Sequence, residues 1–300
     1  MTAFRLMLTR SLVAFLASVF AFFGVTLDSI TPNEYDALAD GADIRVVSYN
    51  VKIHDWYSVI GHYNLYTSSV RLAAQLLELD ADSIGTQEMT YEKLQLFEEY
   101  LEGYSYVGEN RGGANASFEE YCTIFYKTDK YNLLDYGTFW LSDTPDTESK
   151  ISGSYYNRIC TWVLLENKET GECYVHANTH LDNSTDKVRA KQFAILVEQL
   201  GELGLLDYPL VITGDFNTES LSAFSDTMTA ASLSNTRTAS PVTDDSVTYN
   251  SWGMSIGTKI LDYALVDSGF TPVVYKVVSS YIDGKWASDH NAIYVDLSFN

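Results

Sequence analysis

Apolar runs of strand length alternate with amphipathic segments along most of this chain, and polar residues collect where the strand runs end. IRVVSYNV (44 to 51) predicts a buried strand, and SSVRLAAQLLELD (68 to 80) a helix, because its apolar residues recur at helical spacing. The short strand DSIGTQE, the helix YEKLQLFEEYL and the extended run YSYVGE follow. Beyond a Gly- and Asn-containing loop, NRGGANASFEE, the runs YCTIFYK and YNLLDYGTFWL are joined tightly enough to predict a hairpin. RICTWVLLEN and GECYVHANTHL flank the turn-forming KETG and predict antiparallel neighbours. A helix from about Lys187 to Leu203 leads into the strand PLVITGDFN, and the Ser/Thr-rich stretch from Leu233 to Thr248 predicts a surface loop. KILDYALVD, TPVVYKVVSSYI and NAIYVDLSF close the chain as strands. Helix-interrupted strands among hairpins predict an α/β fold with mixed sheets and helices on their outer faces. No internal repeat or linker divides the pattern, and 300 residues with 46% apolar content suit one large domain.

The first stretch departs from this pattern. Arg5 and Arg10 precede SLVAFLASVFAFFGVTL, the charge-then-apolar order of an export signal. Residues 1 to 30 are therefore expected to be a signal peptide or an N-terminal membrane anchor, and residues 41 to 300 the functional domain. The apolar run of ~17 residues is at the short limit for a bilayer span, so cleavage and anchoring both stay open. Either outcome places the protein outside the cytoplasm, secreted or at the cell surface. If the segment is not cleaved, it is itself a membrane contact.

Charge changes the list of partners. The formal net charge is −21, with 19 Lys+Arg against 40 Asp+Glu, and removal of a leader carrying Arg5, Arg10 and Asp28 leaves the body more acidic still. Such a body repels polyanions and shows no basic stripe, which counts against nucleic acid as the partner without removing it. Cys122, Cys160 and Cys173 each lie in an apolar, strand-like run and show no CxxC or Cys/His ligand spacing, so a cysteine-based zinc site is not expected. Three buried thiols is the favoured reading, and one disulfide with one free thiol the alternative.

The polar groups at the strand ends form a set that core packing does not require. They are Asn50 in SYN, Glu88 in TQE, His180 in NTHLD, Asp215 and Asn217 in GDFN, and Asp289 and His290 in SDH. Each alone has an ordinary explanation, since Asp-x-Asn is usually a turn and a Glu after a strand is usually solvated. Together they carry a chemistry. The carboxylate of Glu88 and the amide oxygen of Asn50 are hard donors that suit Mg²⁺, with Mn²⁺ or Ca²⁺ as substitutes, and no imidazole or thiolate cluster competes for a softer ion. His180 and His290 supply a base and donors for a displacement at phosphorus, and Asn217 can orient water or phosphate. Asp262 is an acid inside the otherwise apolar strand ILDYALV, so it needs a partner. An imidazole whose far N–H it would accept is the candidate.

The order SYNV, TQE, NTHLD, GDFN, LDYALV and SDHNAI, from Ser48 to Ile293, resembles the endonuclease/exonuclease/phosphatase superfamily. YGTFWLSDTPD and YYNRICTWV are similar to a bacterial, often exported branch. The resemblance implies a four-layer sandwich of two packed mixed β-sheets flanked by helices, the DNase I-like fold, with the site at one end. It implies that Asn50 and Glu88 hold the metal with Asp289 nearby, that Asp215 with Asn217 orients or activates water, that His290 pairs with Asp262, and that His180 meets the phosphate. Either Asp215 or His290 serves as base in such proteins. Asn183 stands where bacterial relatives commonly carry a second histidine, and FEEYC stands where they often carry a Gly-Glu pair.

Three further residues are candidates for substrate contact: Arg158 before the strand run ICTWV, Asp182 in THLD, and His54 just beyond the first motif. Arg158 could meet a phosphate bidentately. Trp56, Tyr57, Tyr63 and Tyr66 form an aromatic-rich stretch that could stack on a base or sugar or dip into a lipid interface, but in a Tyr-rich chain core packing or ordinary exposure is the favoured explanation. Arg111, Gly112 and Gly113 receive no role. The expected function is Mg²⁺-dependent hydrolysis of a small or lipid-linked phosphoester by a protein acting as a monomer. The alternatives are an exported nuclease and a non-catalytic binding module on the same fold. Substrate choice in such a fold lies in loops grafted on a shared site.

Overall fold

The computed structural model describes residues 26–53, 64–113, 120–254 and 257–300. The apolar run of the leader, except its last residues, lies outside these residues, as do His54, Asp55, Trp56, Tyr57 and Tyr63. No helix among the described residues is long and apolar enough to cross a membrane.

Two six-stranded sheets pack face to face. The first contains β1 (Ile44–Asn50), β2 (Ser83–Met89), β3 (Tyr104–Val107), β4 (Tyr121–Lys127), β11 (Phe270–Val278) and β14 (Ala292–Phe299), in the order β11-β14-β1-β2-β4-β3. The second contains β5 (Tyr131–Trp140), β6 (Ile159–Asn167), β7 (Cys173–His180), β8 (Leu210–Asp215), β9 (Ser234–Asn235) and β10 (Asp262–Val266), in the order β5-β6-β7-β8-β10-β9. Each sheet is mixed, with one parallel pair at its centre, β1 beside β2 and β7 beside β8, flanked by antiparallel neighbours. β12 (Tyr281–Ile282) pairs with β13 (Lys285–Trp286) in a separate small ribbon.

Helices cover the outer faces. Helix α1 (Leu65–Leu79) starts where the Asn64 side chain accepts from the Tyr66 and Thr67 N–H groups, and it ends at Asp80, which adopts a left-handed conformation (φ 48°). It buries Leu72, Ala73, Leu76 and Leu79 against the first sheet together with Phe97 of α2 (Tyr91–Tyr100). Helix α3 (Asp186–Glu202), capped by Thr185, buries Phe193, Leu196 and Leu200 against the second sheet.

The period-2 alternation of the strands divides their residues between these outer layers and the layer between the sheets. On β1, Val47 and Tyr49 face α1, while Ile44 and Val46 face the other sheet. This central strand is buried on both faces, so it reads as a continuous run.

The inter-sheet layer changes character along its length. At one end Ile44, Val46, Tyr174, Val211, Ala264, Val266 and Val295 pack together. Further along the same strand faces it becomes a network of neutral polar groups. His176 lies 2.8 Å from both Ser83 Oγ and Thr213 Oγ1, while Gln87 donates to Asn178 Oδ1 (2.7 Å) and to Ser48 Oγ (3.1 Å). Gly85 lets these groups meet, because a Cβ there would stand 2.4 Å from Thr213 Oγ1 and 2.7 Å from Asn178 Oδ1. At the far end the faces terminate in ionisable side chains.

Two expectations from the sequence are corrected. YCTIFYK and YNLLDYGTFWL do not form a hairpin: β4 pairs with β2 and β3, β5 pairs with β6, and the chain crosses between sheets at residues 128–130. Tyr131 anchors the crossing, its hydroxyl donating to Asp82 (3.1 Å) and its ring packing edge-on against Tyr174. A short connection is compatible with a hairpin or a corner, and the burial of Tyr131 between the sheets decides for the corner. The Ser/Thr-rich stretch is also more than a surface loop. It contains β9 and a short helix, Thr236–Ala239, and its buried Thr248 accepts from the Leu261 and Asp262 N–H groups (2.9 and 3.0 Å). Among the described residues the three cysteines are free thiols, two buried and Cys173 half-buried.

Candidate active site

The two parallel strand pairs end side by side, and their C-terminal residues meet. Asn50 ends β1 and Asp215 ends β8, His180 ends β7, and Glu88 stands one residue from the end of β2. The Asn50 amide donates to Glu88 Oε1 and Asp215 Oδ2 (both 3.0 Å), so it ties one sheet to the other. Its own oxygen accepts from the Lys52 N–H (3.0 Å) and keeps a second lone pair.

Local backbone distortion aims these groups. The pairing of β2 with β4 shifts register between Thr86 and Met89, and within that bulge Glu88 adopts a left-handed conformation (φ 56°). Lys52 (φ 59°) and Asn217 (φ 52°) share that unusual backbone state. Such residues are held against their preference by the structure around them. Asn217 is fixed by its N–H to Asp215 Oδ1 (2.8 Å) and its side-chain amide to Leu181 O (2.9 Å). The chain bearing Asp289 and His290 is fixed by Ser288, whose hydroxyl donates to Asn50 O (2.7 Å).

His290 Nδ1 donates to Asp262 Oδ2 at 2.8 Å, and its Nε2 lies 3.7 Å from Asp215 Oδ2. Tyr249 packs edge-on against the ring. Burial alone would lower the imidazole pKa, but Asp262, Asp215 and Asp289 outweigh it and push it up to about 10. His290 is therefore an imidazolium at neutral pH. His180 sits on the other side of Asp215, with Nε2 3.6 Å from Oδ2 and 2.9 Å from the Asn217 amide nitrogen. On the far side of the ring, His180 Nδ1 lies 3.4 Å from Glu120 Oε2. The Glu88 carboxyl is held below its ordinary range: burial opposes this, and the Lys52 and His180 charges with the Ile53 N–H outweigh it. Asp289 shifts the other way, raised first by burial.

These residues open on a cavity of about 550 Å³, also lined by Lys52, Arg111, Glu120, Tyr156, Arg158 and Lys259. Arg111 pairs with Glu120 at 3.0 Å, and both arginines lie over the Tyr156 ring. Arg158 Nη1 is buried without a hydrogen-bond partner among the described residues.

A hard divalent cation fits this set. Glu88, His180 and Asp215 can each bring a ligand atom within 4.8 Å of one another. Asp289 Oδ1 is buried with no hydrogen-bond partner among the described residues, which is costly unless a cation satisfies it.

The structure thus brings together Asn50, Glu88, His180, Asp215, Asn217, Asp262, Asp289 and His290, with Arg158 on the cavity wall. Asp182 departs from the expectation of substrate contact. It is fully buried, accepts from the Tyr155, Tyr156 and Ser184 N–H groups, and lies 3.5 Å from Arg158 Nε, so it supports the wall rather than facing the cavity. Sequence reasoning missed Lys52, Arg111, Glu120, Tyr249 and Lys259. Glu120 carried a usable signal, the acid directly before the YCTIFY strand; Arg111 reaches the site only through tertiary folding.

The two packed mixed sheets and the cluster at their ends match the DNase I-like fold class. Comparison with known proteins gives the lineage: the chain belongs to the Endonuclease/Exonuclease/phosphatase family, whose model matches residues 61–290. A mannosyl-6-phosphatase of Bacteroides thetaiotaomicron superimposes with a TM-score of 0.78 at 27% identity, over 86% of this chain and 100% of that one. Protein angel of Drosophila melanogaster is 27% identical over 194 residues, 59% of this chain and 52% of that protein. The Ccr4 exoribonuclease subunit of the CCR4-Not complex from Phaeosphaeria nodorum is also 27% identical, over 59% of this chain but 33% of its own length. The chain therefore spans about half or less of these curated relatives.

Proposed function

We propose that the protein is an extracytoplasmic, Mg²⁺-dependent hydrolase of small phosphoesters, with sugar phosphomonoesters first among them. The carrying observation is the cavity of about 550 Å³, in which a carboxylate cluster fit for a metal faces Arg111, Arg158, Lys52 and Lys259. A chain of net charge −21 that gathers these cations around one small cavity is suited to a compact anion rather than a long polyanion. The full-length correspondence with a mannosyl-6-phosphatase supports the same choice.

Glu88 and Asp289, with the free lone pair of Asn50, would hold the ion, with His180 and Asp215 within reach. When bound, the ion supplies neutralisation of phosphoryl charge. Asp215, steadied by the Asn50 amide and the Asn217 N–H, takes the proton of the attacking water. His290, already an imidazolium, stabilises charge on the phosphoryl oxygens, and Asp262 holds its orientation. Arg111 and Arg158 bind the ester's remaining oxygens. The N-terminal segment directs export, as a cleaved signal or an anchor, and the protein acts as a monomer.

The test is turnover of mannose 6-phosphate, bis-nitrophenyl phosphate, inositol phosphates, sphingomyelin and RNA, with Mg²⁺ and with excess chelator. Metal-dependent turnover confined to small monoesters supports the reading. RNA as the best substrate would replace it with the nuclease, and full activity in chelator would remove the metal. A reporter fused to residues 1 to 40 that stays soluble in the cytoplasm would overturn the location.

A further inference from the structure

Lys52 stands where the metal chemistry and the phosphate chemistry meet. Its Nζ lies 3.6 Å from Glu88 Oε2 and 3.4 Å from Asp289 Oδ2, the two carboxylates at the heart of the proposed metal site. These acids come from distant parts of the chain, one from the bulge of β2 and one from the segment before β14.

The placement of Lys52 is built into the backbone. Its φ of 59° is unusual for a side chain of this kind. The turn is pinned by the Lys52 N–H on Asn50 Oδ1, by the Ile53 N–H on Glu88 Oε2 (2.8 Å), and by the Val51 N–H on Gln87 O (3.0 Å). Beneath it, the fully buried Lys93 of α2 donates to the carbonyls of both Val51 and Lys52. A strained residue this heavily supported is a common mark of function. The main chain is fixed, whereas the stem of Lys52 is flexible and lines the cavity.

Resting on the metal-dependent reading above, we propose that Lys52 is a resident counter-cation. Its ammonium holds Glu88 and Asp289 together while no divalent ion is bound, yields them when one binds, and then engages the phosphoryl oxygens of the substrate. Two like-charged groups do not share the same two carboxylates at short range in a partly buried site. The ammonium must therefore move when those acids are taken. Within reach of the stem, the cavity that receives the ester is the place where a displaced cation gains most. An ammonium is a compact point charge suited to a phosphate oxygen.

The experiment uses the full-length chain, stripped of metal, as wild type, Lys52→Met and Lys52→Arg. Calorimetry measures Mn²⁺ affinity, and then inorganic phosphate affinity at saturating Mn²⁺. Loss of the competing charge in Lys52→Met should tighten Mn²⁺ binding by about tenfold, and loss of the phosphate contact should weaken phosphate by about tenfold. It should also lower the melting temperature of the chelated protein, because two buried acids lose their shared partner. Lys52→Arg should keep phosphate affinity within about threefold of wild type. Unchanged or weaker Mn²⁺ binding in Lys52→Met overturns the counter-cation role, and unchanged phosphate affinity overturns the substrate role. A wild type that binds no Mn²⁺ at millimolar concentration would sink the metal-dependent reading itself, and this inference with it. Wild type that binds Mn²⁺ but hydrolyses no ester would sink the functional reading while leaving the competition measurable.

Discussion

His176 and His290 are both buried between the two sheets, and the protein holds them in opposite charge states. His176 sits in the middle of the layer between the hydroxyls of Ser83 and Thr213, and burial pushes its pKa down to about 3. His290 sits at the end of the layer, where burial acts in the same sense but three carboxylates reverse it, to about 10. The residue type is the same and the desolvation is similar. What differs is whether the strand faces end in neutral groups or in acids. The comparison teaches that the polar middle of the layer is a support, while charge is admitted only where the sheets end and a cavity begins.

The largest effect expected from breaking this contrast is at His290. His290→Ala should lower kcat by at least ~10², the scale of a positioned acid/base group, with circular dichroism unchanged. A loss below threefold would remove His290 from the chemistry. Next comes Glu88→Gln, which should weaken Mg²⁺ affinity and turnover together by at least ~10-fold, since even outer-shell partners of a metal cost that much. Mg²⁺ dependence unchanged in that variant would take Glu88 out of the ligand set.

Asp262→Asn should cost less than His290→Ala and move the alkaline limb of the pH profile to lower pH, because it removes the anion nearest the imidazolium, 2.8 Å away. The double variant should be little worse than His290→Ala alone, because residues acting as one unit are not additive. Losses that multiply would mean that the pair does not work together, and Asp262 would lose its orienting role.

Much of this was legible in the sequence because strand ends are marked by a change from apolar to ionisable residues. SYN, TQE, THLD, GDFN and SDH each make that change, and a shared fold converges them. The need of Asp262 for a partner followed from its place in an apolar strand, the family resemblance implied that the partner is His290, and the structure supplies the contact. Arg111 and Lys52 were not legible, because a basic residue in a loop has the same local pattern whether it faces solvent or a cavity. The corner between β4 and β5 was hidden for a related reason: tight connections serve hairpins and sheet changes alike. His176 could have been found, since His176, Asn178 and His180 alternate along YVHANTH and so share one face of a strand.

The smallest effect on turnover should come from His176, and its sign separates support from chemistry. Its folded pKa is depressed below the ordinary value near 6.5, so the fold favours the neutral ring. Its contribution to stability is present above pH ~6.5 and is lost as pH falls from there towards about 3, because the unfolded chain takes up a proton that the folded chain refuses. His290 has the opposite linkage, with its contribution present below pH ~6.5 and lost as pH rises towards about 10. His176→Gln can still bond both hydroxyls but has no proton to take up in that window. Urea unfolding from pH 7 to 4 should therefore show a shallower acid decline for His176→Gln than for wild type, with kcat at pH 7 changed by less than about threefold. The alkaline decline should persist, because His290 is untouched. Parallel acid limbs in the two proteins would mean that His176 does not stay neutral in the fold, and the contrast between the middle and the end of the layer would collapse.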